Sequence, residues 1–160
     1  QTCALPIFND IASAFRSAGA LVDSAKSEAE EVAEERDEEE LKALKEAWGQ
    51  TGSRLAQGGA KAVKELEKEQ KSRATRMVRD YLDQALLDIV TLYRDVLLIQ
   101  SGKSGDSVNS DLTKELERVA TSTTSDGTLK KIEAIMKARV NLAHNAAPLL
   151  TVEAMMVQLK

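Results

Sequence analysis

The chain has 160 residues, of which 42% are hydrophobic, 30% charged and only 3% aromatic, and its formal net charge is −4. This length fits a single domain, and the scarcity of aromatic residues favours helices over a β-sandwich. The net charge gives no overall attraction to nucleic acid or to an anionic membrane. The single cysteine, Cys3, excludes an internal disulfide and a thiolate metal site.

Residues 1–7 differ from the rest of the chain. They carry no charge and no helical period, and they resemble the translation of a sequencing adapter. We expect them to be artificial, and we expect residues 8–160 to be the C-terminal part of a longer protein. No apolar run approaches the roughly 18 residues that a membrane span needs. The sequence therefore predicts a cytoplasmic protein with no membrane partner.

Apolar residues at three- and four-residue spacing predict helices in the first part of the chain. The first helix is expected over residues 8–36. Asp37, with Glu40 three residues later, has the pattern of a capping box and predicts a second, short helix over residues 37–48. The segment 49–59 contains four glycines and is expected to be a loop.

The middle of the chain predicts the longest helical segment. Residues 60–100 contain neither glycine nor proline, so we expect one helix of roughly 60 Å, or two joined by a kink. Residues 86–99 are apolar on most sides and are expected at the centre of the bundle. The polar segment 101–106 is expected to be a loop.

Three further helices are predicted after this loop. The first is short and covers residues 111–120, and the polar run 121–127 closes it. A longer helix is expected over residues 128–142. Pro148 then starts the last helix, over residues 149–159. The whole pattern predicts an all-α bundle of five to six helices.

Two charged surfaces are candidate binding sites. Residues 23–46 contain eleven acidic and four basic residues, a net charge of −7, which fits either a docking surface for a basic partner or a solvated helix face. Basic residues at helical spacing follow Lys61 on the long helix. As candidate contacts to phosphate or to an acidic partner we single out Lys64, Lys68, Lys71, Arg73, Arg76 and Arg79.

Catalytic patterns are sparse. Arg139 and His144 have the R-x4-H spacing of the all-α HEPN ribonucleases, in which the histidine would handle a proton and the arginine would stabilise phosphate charge. No pair of Glu-x-x-His segments is present for a carboxylate-bridged metal centre. Gly102-Lys103-Ser104 ends like a P-loop, but Leu97 stands where that motif requires glycine. A HEPN-like ribonuclease therefore remains one alternative.

Several segments together resemble a known protein family. The run KELEKEQKSRATR at 64–76, Arg-Asp at 79–80, ALLD at 85–88, Tyr-Arg-Asp at 93–95 and NAAPLLTVEAMM at 145–156 resemble the δ′ (delta prime) subunits of actinobacterial-type DNA polymerase III. These subunits belong to the clamp loader, which places the sliding clamp on DNA during replication. The similarity spans nearly the whole chain from Phe8.

This resemblance implies a role in assembly. In that family an AAA+ nucleotide-binding module and a lid precede a helical C-terminal domain, which packs with its counterparts into a circular collar. Residues 8–160 resemble the collar domain alone, so the partners implied are the τ/γ (tau/gamma) and δ (delta) subunits, with DNA met only through the assembled complex. The family's zinc ligands, arginine finger and ATPase lie elsewhere, which implies no catalytic site, cofactor or small-molecule substrate here.

We expect the last two helices to supply the subunit contacts of such a collar, and residues 86–97 to fill the domain's own core. The expected interface residues are Ile132, Ile135, Met136, Leu142, Leu149, Val152, Met156 and Leu159. The alternative in the class of binding proteins is a stand-alone helical interaction scaffold, which would need no missing N-terminal module.

Overall fold

The computed structural model describes residues 11–49, 58–103 and 107–160. These residues contain five α-helices and no strand, so the predicted all-α bundle is confirmed. A 3-10 turn, Ser110–Leu112, precedes the third helix. The helices are α1 Ile11–Ala47, α2 Gly59–Gln100, α3 Thr113–Ser122, α4 Ser125–Ala143 and α5 Pro148–Gln158.

The described residues form two compact units. One, which we call the bundle unit, combines residues 11–22 of α1 with the described residues from 82 to the end of the chain. The other, the hairpin unit, comprises the described residues of 23–81, in which the second half of α1 runs antiparallel to the first half of α2.

Helix α1 is continuous, and the predicted break at Asp37 is wrong. A capping-box pattern starts a helix only where the preceding chain leaves the helix, and no glycine or proline between residues 20 and 47 interrupts α1. The side chains of Asp37 and Glu40 instead turn towards α2. Most of the predicted loop, residues 50–57, lies outside the described part of the chain.

Helix α2 is one helix of 42 residues, about 63 Å long at 1.5 Å per residue. Its second half supplies the core of the bundle unit, as predicted: Leu82, Leu86, Ile89, Leu92, Tyr93 and Val96 are all buried. Burial of the Tyr93 phenol raises its pKa to about 12, because the ionised form would lose its hydration.

The end of α2 is fixed by its backbone and by its last side chain. Gly102 has φ +73°, and Lys103 N donates to Leu98 O at 2.8 Å, which together close the helix with a left-handed residue. Gln100 Nε2 donates to Ala120 O (3.2 Å) and to Thr123 O (2.9 Å). One amide thereby holds the end of α2 against the end of α3.

Helix α4 begins three residues earlier than predicted, at Ser125 rather than Thr128. Thr124 is extended, and its hydroxyl accepts a hydrogen bond from Gly127 N at 3.1 Å, so this threonine is the N-cap. The polar run that was expected to be a loop therefore contains the cap and the first turn of the helix. Thr128 is buried, and its hydroxyl donates to Gln100 Oε1 at 3.2 Å.

Helices α4 and α5 pack against each other as an antiparallel pair. Asn145 joins them in the left-handed conformation (φ 64°), with Ala146 N donating to Asn141 O at 3.0 Å. Pro148 occupies the first turn of α5, as predicted. The Lys131 ammonium on α4 donates hydrogen bonds to Leu159 O and Lys160 O. These bonds tie the far end of α5 to α4.

Candidate interaction surfaces

Arg73 on α2 joins the two helices of the hairpin unit. Its guanidinium donates to Asp37 Oδ1 at 2.6 Å and to both carboxylate oxygens of Glu40, at 3.2 and 2.5 Å. Gln70 Nε2 adds a hydrogen bond to the backbone carbonyl of Asp37 at 2.9 Å. Such multidentate pairing is the geometry for which arginine is suited and lysine is not.

This pairing shifts the ionisation of both partners. Hydrogen bonds from Arg73 and then Arg36 lower the pKa of Glu40 from 4.5 to about 2, because they stabilise the charged carboxylate. Arg73 in turn has a raised pKa, since Glu40 and Asp37 stabilise its charge. Arg73 was expected to contact phosphate or an acidic partner, and in this structure two carboxylates of the same chain occupy its guanidinium.

The other predicted basic residues lie differently. Lys61, Lys64, Lys68, Lys71 and Arg76 are exposed, and none of them forms an ion pair with a residue that the structure describes. Arg79 is half-buried, and its Nε finds no hydrogen-bond acceptor among the described residues. We call Lys61, Lys64, Lys68, Lys71, Arg76 and Arg79 the basic stripe.

The acidic segment of α1 is a solvated surface over most of its length. Asp23 pairs with Lys26 at 3.5 Å and Arg36 pairs with Glu40 at 2.9 Å. The small side chains of Ala25, Ala29 and Ala33 are the buried ones in this segment. The remaining acids project outward, so the outer face of α1 is negative.

Five of the eight expected interface residues lie in the core of the bundle unit itself. These five are Ile135, Leu142, Val152, Met156 and Leu159. Ile132 is half-buried, and only Met136 and Leu149 are exposed, at 41% and 43%. The five buried side chains are not available to a subunit partner in this conformation, because they already lie in the interior of the bundle unit.

Other apolar residues of α4 and α5 face solvent and were not singled out from the sequence. On α4, Leu129 and Val140 are exposed at 49% and 54%. On α5, Leu150 and Val157 are exposed at 67% and 38%. With Met136 and Leu149 they give each helix a second apolar face, which we call the outer apolar faces. Periodicity finds these residues but cannot decide which of two apolar faces points inward.

The R-x4-H pair is not arranged as two free groups. Arg139 donates from Nε to Asp83 Oδ1 at 2.7 Å and from a terminal nitrogen to Asp83 Oδ2 at 2.9 Å. These hydrogen bonds lower the pKa of Asp83 and raise that of Arg139. His144 is exposed and bonds through Nδ1 to Val140 O at 2.8 Å. The arginine thus already holds a carboxylate in the place that a phosphate would take.

Asp95 is a buried polar residue of α2 that sequence reasoning missed. Its side chain is fully buried, and Oδ2 accepts hydrogen bonds from Val108 N (3.1 Å), Asn109 N (2.8 Å) and Asn109 Nδ2 (2.7 Å). Burial raises the pKa of this carboxyl, but the hydrogen bonds from Asn109 and Val108 lower it by more, so it lies below the usual value. The sequence signal that could have found it is its position between Tyr93 and Val96, which are both buried.

The described residues contain no group of three or more histidine, cysteine, aspartate or glutamate side chains placed to hold a metal ion. Gly102 closes α2, and Ser104 lies outside the described residues. No described helix is both long enough and apolar enough to cross a membrane. Comparison of the chain with protein-family models, with curated proteins and with solved structures gives no match.

Proposed function

We propose that the chain is a non-catalytic subunit-contact domain, of the kind found in the C-terminal collar of bacterial clamp-loader δ′ subunits. The family is suggested by the residues of α2 and α5 that resemble it. One structural observation supports the role: α4 and α5 carry apolar side chains on solvent-facing sides as well as on buried ones. A contact domain needs such a surplus.

The outer apolar residues of α4 share one side of the helix, with the exposed Glu133 between Leu129 and Met136. Leu129, Met136 and Val140 are spaced by seven and four residues, so they lie on one side of the helix over about 16 Å. A helix that is apolar on both sides is typical of one covered on both sides. Exposed apolar patches of this kind mark contact surfaces in folded proteins.

Helix α5 has the same property more strongly. Its outward side chains include Leu149, Leu150 and Val157, and its charged residues are limited to Glu153. Covering these side chains would remove apolar surface from water at about 25 cal/mol per Å². The proposed occupant is the helical collar of a neighbouring clamp-loader subunit, because those domains form the ring in that family.

Sedimentation of the full chain mixed with the τ/γ and δ subunits of an actinobacterial clamp loader tests the proposal. We expect a stoichiometric complex. The double variant Leu150→Ser with Val157→Ser should lose it while keeping the helical circular-dichroism spectrum. Val32→Ser with Val108→Ser is the matched control, because these valines are also exposed, at 58% and 65%, but lie outside α4 and α5.

Two results would contradict the proposal. A folded wild-type chain that sediments alone in the presence of those subunits would favour the stand-alone scaffold. Equal loss of the complex in both double variants would mean that the contact does not depend on the outer apolar faces.

A further inference from the structure

We propose that the hairpin unit binds the phosphate backbone of double-helical nucleic acid through the basic stripe. The inference rests on the hairpin unit alone, whereas the proposed subunit contact rests on α4 and α5 of the bundle unit. The two proposals can therefore fail separately.

The first support is the alignment of the free cations. Lys61, Lys64, Lys68 and Lys71 are spaced by three, four and three residues, which places them within about 80° of one another around α2. They span about 15 Å, and Arg79, five helical turns after Lys61, extends the line to about 27 Å. These five side chains form a row of positive charge along one side of α2, and Arg76 flanks the row about 60° from Lys61 around the helix.

The second support is the separation of this row from the contacts inside the hairpin unit. Gln70 and Arg73, which bind α1, lie on the opposite side and the flank of α2. The exposed lysines pair with no described carboxylate, although Glu65 and Glu69 occur on the same helix. Their charge is therefore available to an external anion.

The composition of the stripe favours a polyanion over a protein. Between the basic side chains this face carries Glu65, Ser72 and Thr75 and no large apolar residue. A protein interface requires an apolar core, and exposed ion pairs alone contribute little. A nucleic acid backbone needs no apolar contact, because the release of condensed counterions drives its binding to lysines.

The absence of aromatic residues favours a duplex over a single strand. The described aromatic residues of the hairpin unit are Trp48 and Tyr81, and neither lies on the basic stripe. Single-strand binding of unselective proteins depends on bases stacked on aromatic rings. Backbone contact to a duplex uses phosphates alone.

Charge polarity within the hairpin unit fixes which side would face the nucleic acid. Residues 23–46 carry a net charge of −7, whereas residues 59–81 contain seven basic and four acidic residues, a net charge of +3. A polyanion is therefore repelled from the outer face of α1 and attracted to the outer face of α2.

The test is fluorescence anisotropy of a labelled duplex of about 20 base pairs titrated with the full chain between about 50 and 200 mM salt. The stripe variant replaces Lys61, Lys64, Lys68 and Lys71 with glutamine. A matched control replaces Lys42, Lys103, Lys114 and Lys137 with glutamine. These four are exposed, lie outside the stripe and change the net charge equally.

We expect the stripe variant to bind at least about tenfold more weakly than the wild-type protein, and the slope of log affinity against log salt to fall by about 3 to 4. The control variant should keep most of the wild-type affinity and most of the wild-type salt slope. Circular dichroism verifies that each variant is folded.

Four outcomes would overturn the inference. The first is no measurable duplex binding by the wild-type chain at about 50 mM salt. The second is an equal loss of affinity in the stripe and control variants, which would mean that binding depends on the total charge of the chain. The third is equal or tighter binding of the corresponding single strand, and the fourth is tighter binding of an acidic polypeptide than of the duplex, which would identify a protein partner.

Discussion

Replacing Asp95 with alanine should release the segment that precedes α3. Its carboxylate accepts three hydrogen bonds, two from the backbone of Val108 and Asn109 and one from the Asn109 side chain. Each bond to a charged group contributes roughly 1.5–3 kcal/mol, but the variant also avoids burying a carboxylate. We therefore expect a loss of about 3 kcal/mol in the free energy of unfolding.

Urea unfolding followed by circular dichroism measures this loss, and amide hydrogen exchange locates it. Exchange should accelerate first at Val108 and Asn109. Asn109→Ala is the graded control, because it removes only one of the three bonds and should cost about 1.5 kcal/mol. An Asp95→Ala variant within about 0.5 kcal/mol of the wild-type protein would refute the reasoning.

The same carboxylate gives a pH test with a defined sign. Because the folded pKa of Asp95 is lowered below 3.8, its contribution is fully present above the unfolded pKa and is lost as the pH falls through the folded value. The stability difference between the wild-type protein and Asp95→Asn should therefore shrink below about pH 4. A difference that stays constant down to about pH 3 would contradict this assignment.

Three further predictions concern other parts of the molecule. Met156→Ala should lower the free energy of unfolding by about 2–5 kcal/mol, whereas Leu149→Ala should lower it by less than about 1 kcal/mol. The reason is that Met156 is buried and Leu149 is exposed, and urea titration of both variants measures the difference. The Glu40 carboxyl should titrate near pH 2 by NMR in the wild-type protein and at a higher pH in Arg73→Gln, still below its ordinary value of 4.5 because Arg36 continues to donate to it; an unchanged midpoint would contradict the pairing. Asn145→Gly should stabilise the protein by about 0.5–1 kcal/mol and Asn145→Ala should destabilise it, since the φ of 64° favours glycine; thermal unfolding measures the sign.

Periodicity and end signals were sufficient for the larger elements. The length of α2 followed from the absence of glycine and proline over residues 60–100, and the start of α5 followed from Pro148. The apolar residues of 86–97 were correctly expected in the core, where Leu86, Ile89, Leu92, Tyr93 and Val96 are buried, whereas Asp88 and Arg94 of the same segment are exposed. These features depend on local sequence alone.

The errors arose where a local pattern has two structural uses. Asp37 and Glu40 have the spacing of a capping box, but the same spacing places both carboxylates beside Arg73 of a neighbouring helix. Thr124 lies in a polar run that indicated a loop, yet a single hydroxyl facing Gly127 N starts α4 there. Only the tertiary partner, or its absence, distinguishes the two uses.

For the candidate sites, the structure shows where the predicted residues lie. The lysines of the basic stripe were singled out from their spacing and are exposed, and their contact to phosphate or to an acidic partner stays a prediction. The interface prediction selected the more regular apolar face of α4 and α5, which proved to be the buried one for residues such as Ile135 and Val152. Sequence periodicity identifies a face, but only packing decides what covers it.

Replacing Gln100 with glutamate is a chemically conservative change that should be severe. The Gln100 side-chain nitrogen serves two backbone carbonyls, and its oxygen accepts from Thr128. Glutamate has the same shape, but its carboxylate would face those two carbonyl oxygens with no proton to offer them. Leucine, with no polar atoms, would leave the carbonyls unpaired but would not repel them. In a library of variants at this position, similarity in size and shape should therefore be a poor guide to tolerance, and slow deamidation of stored protein should act as a mutation.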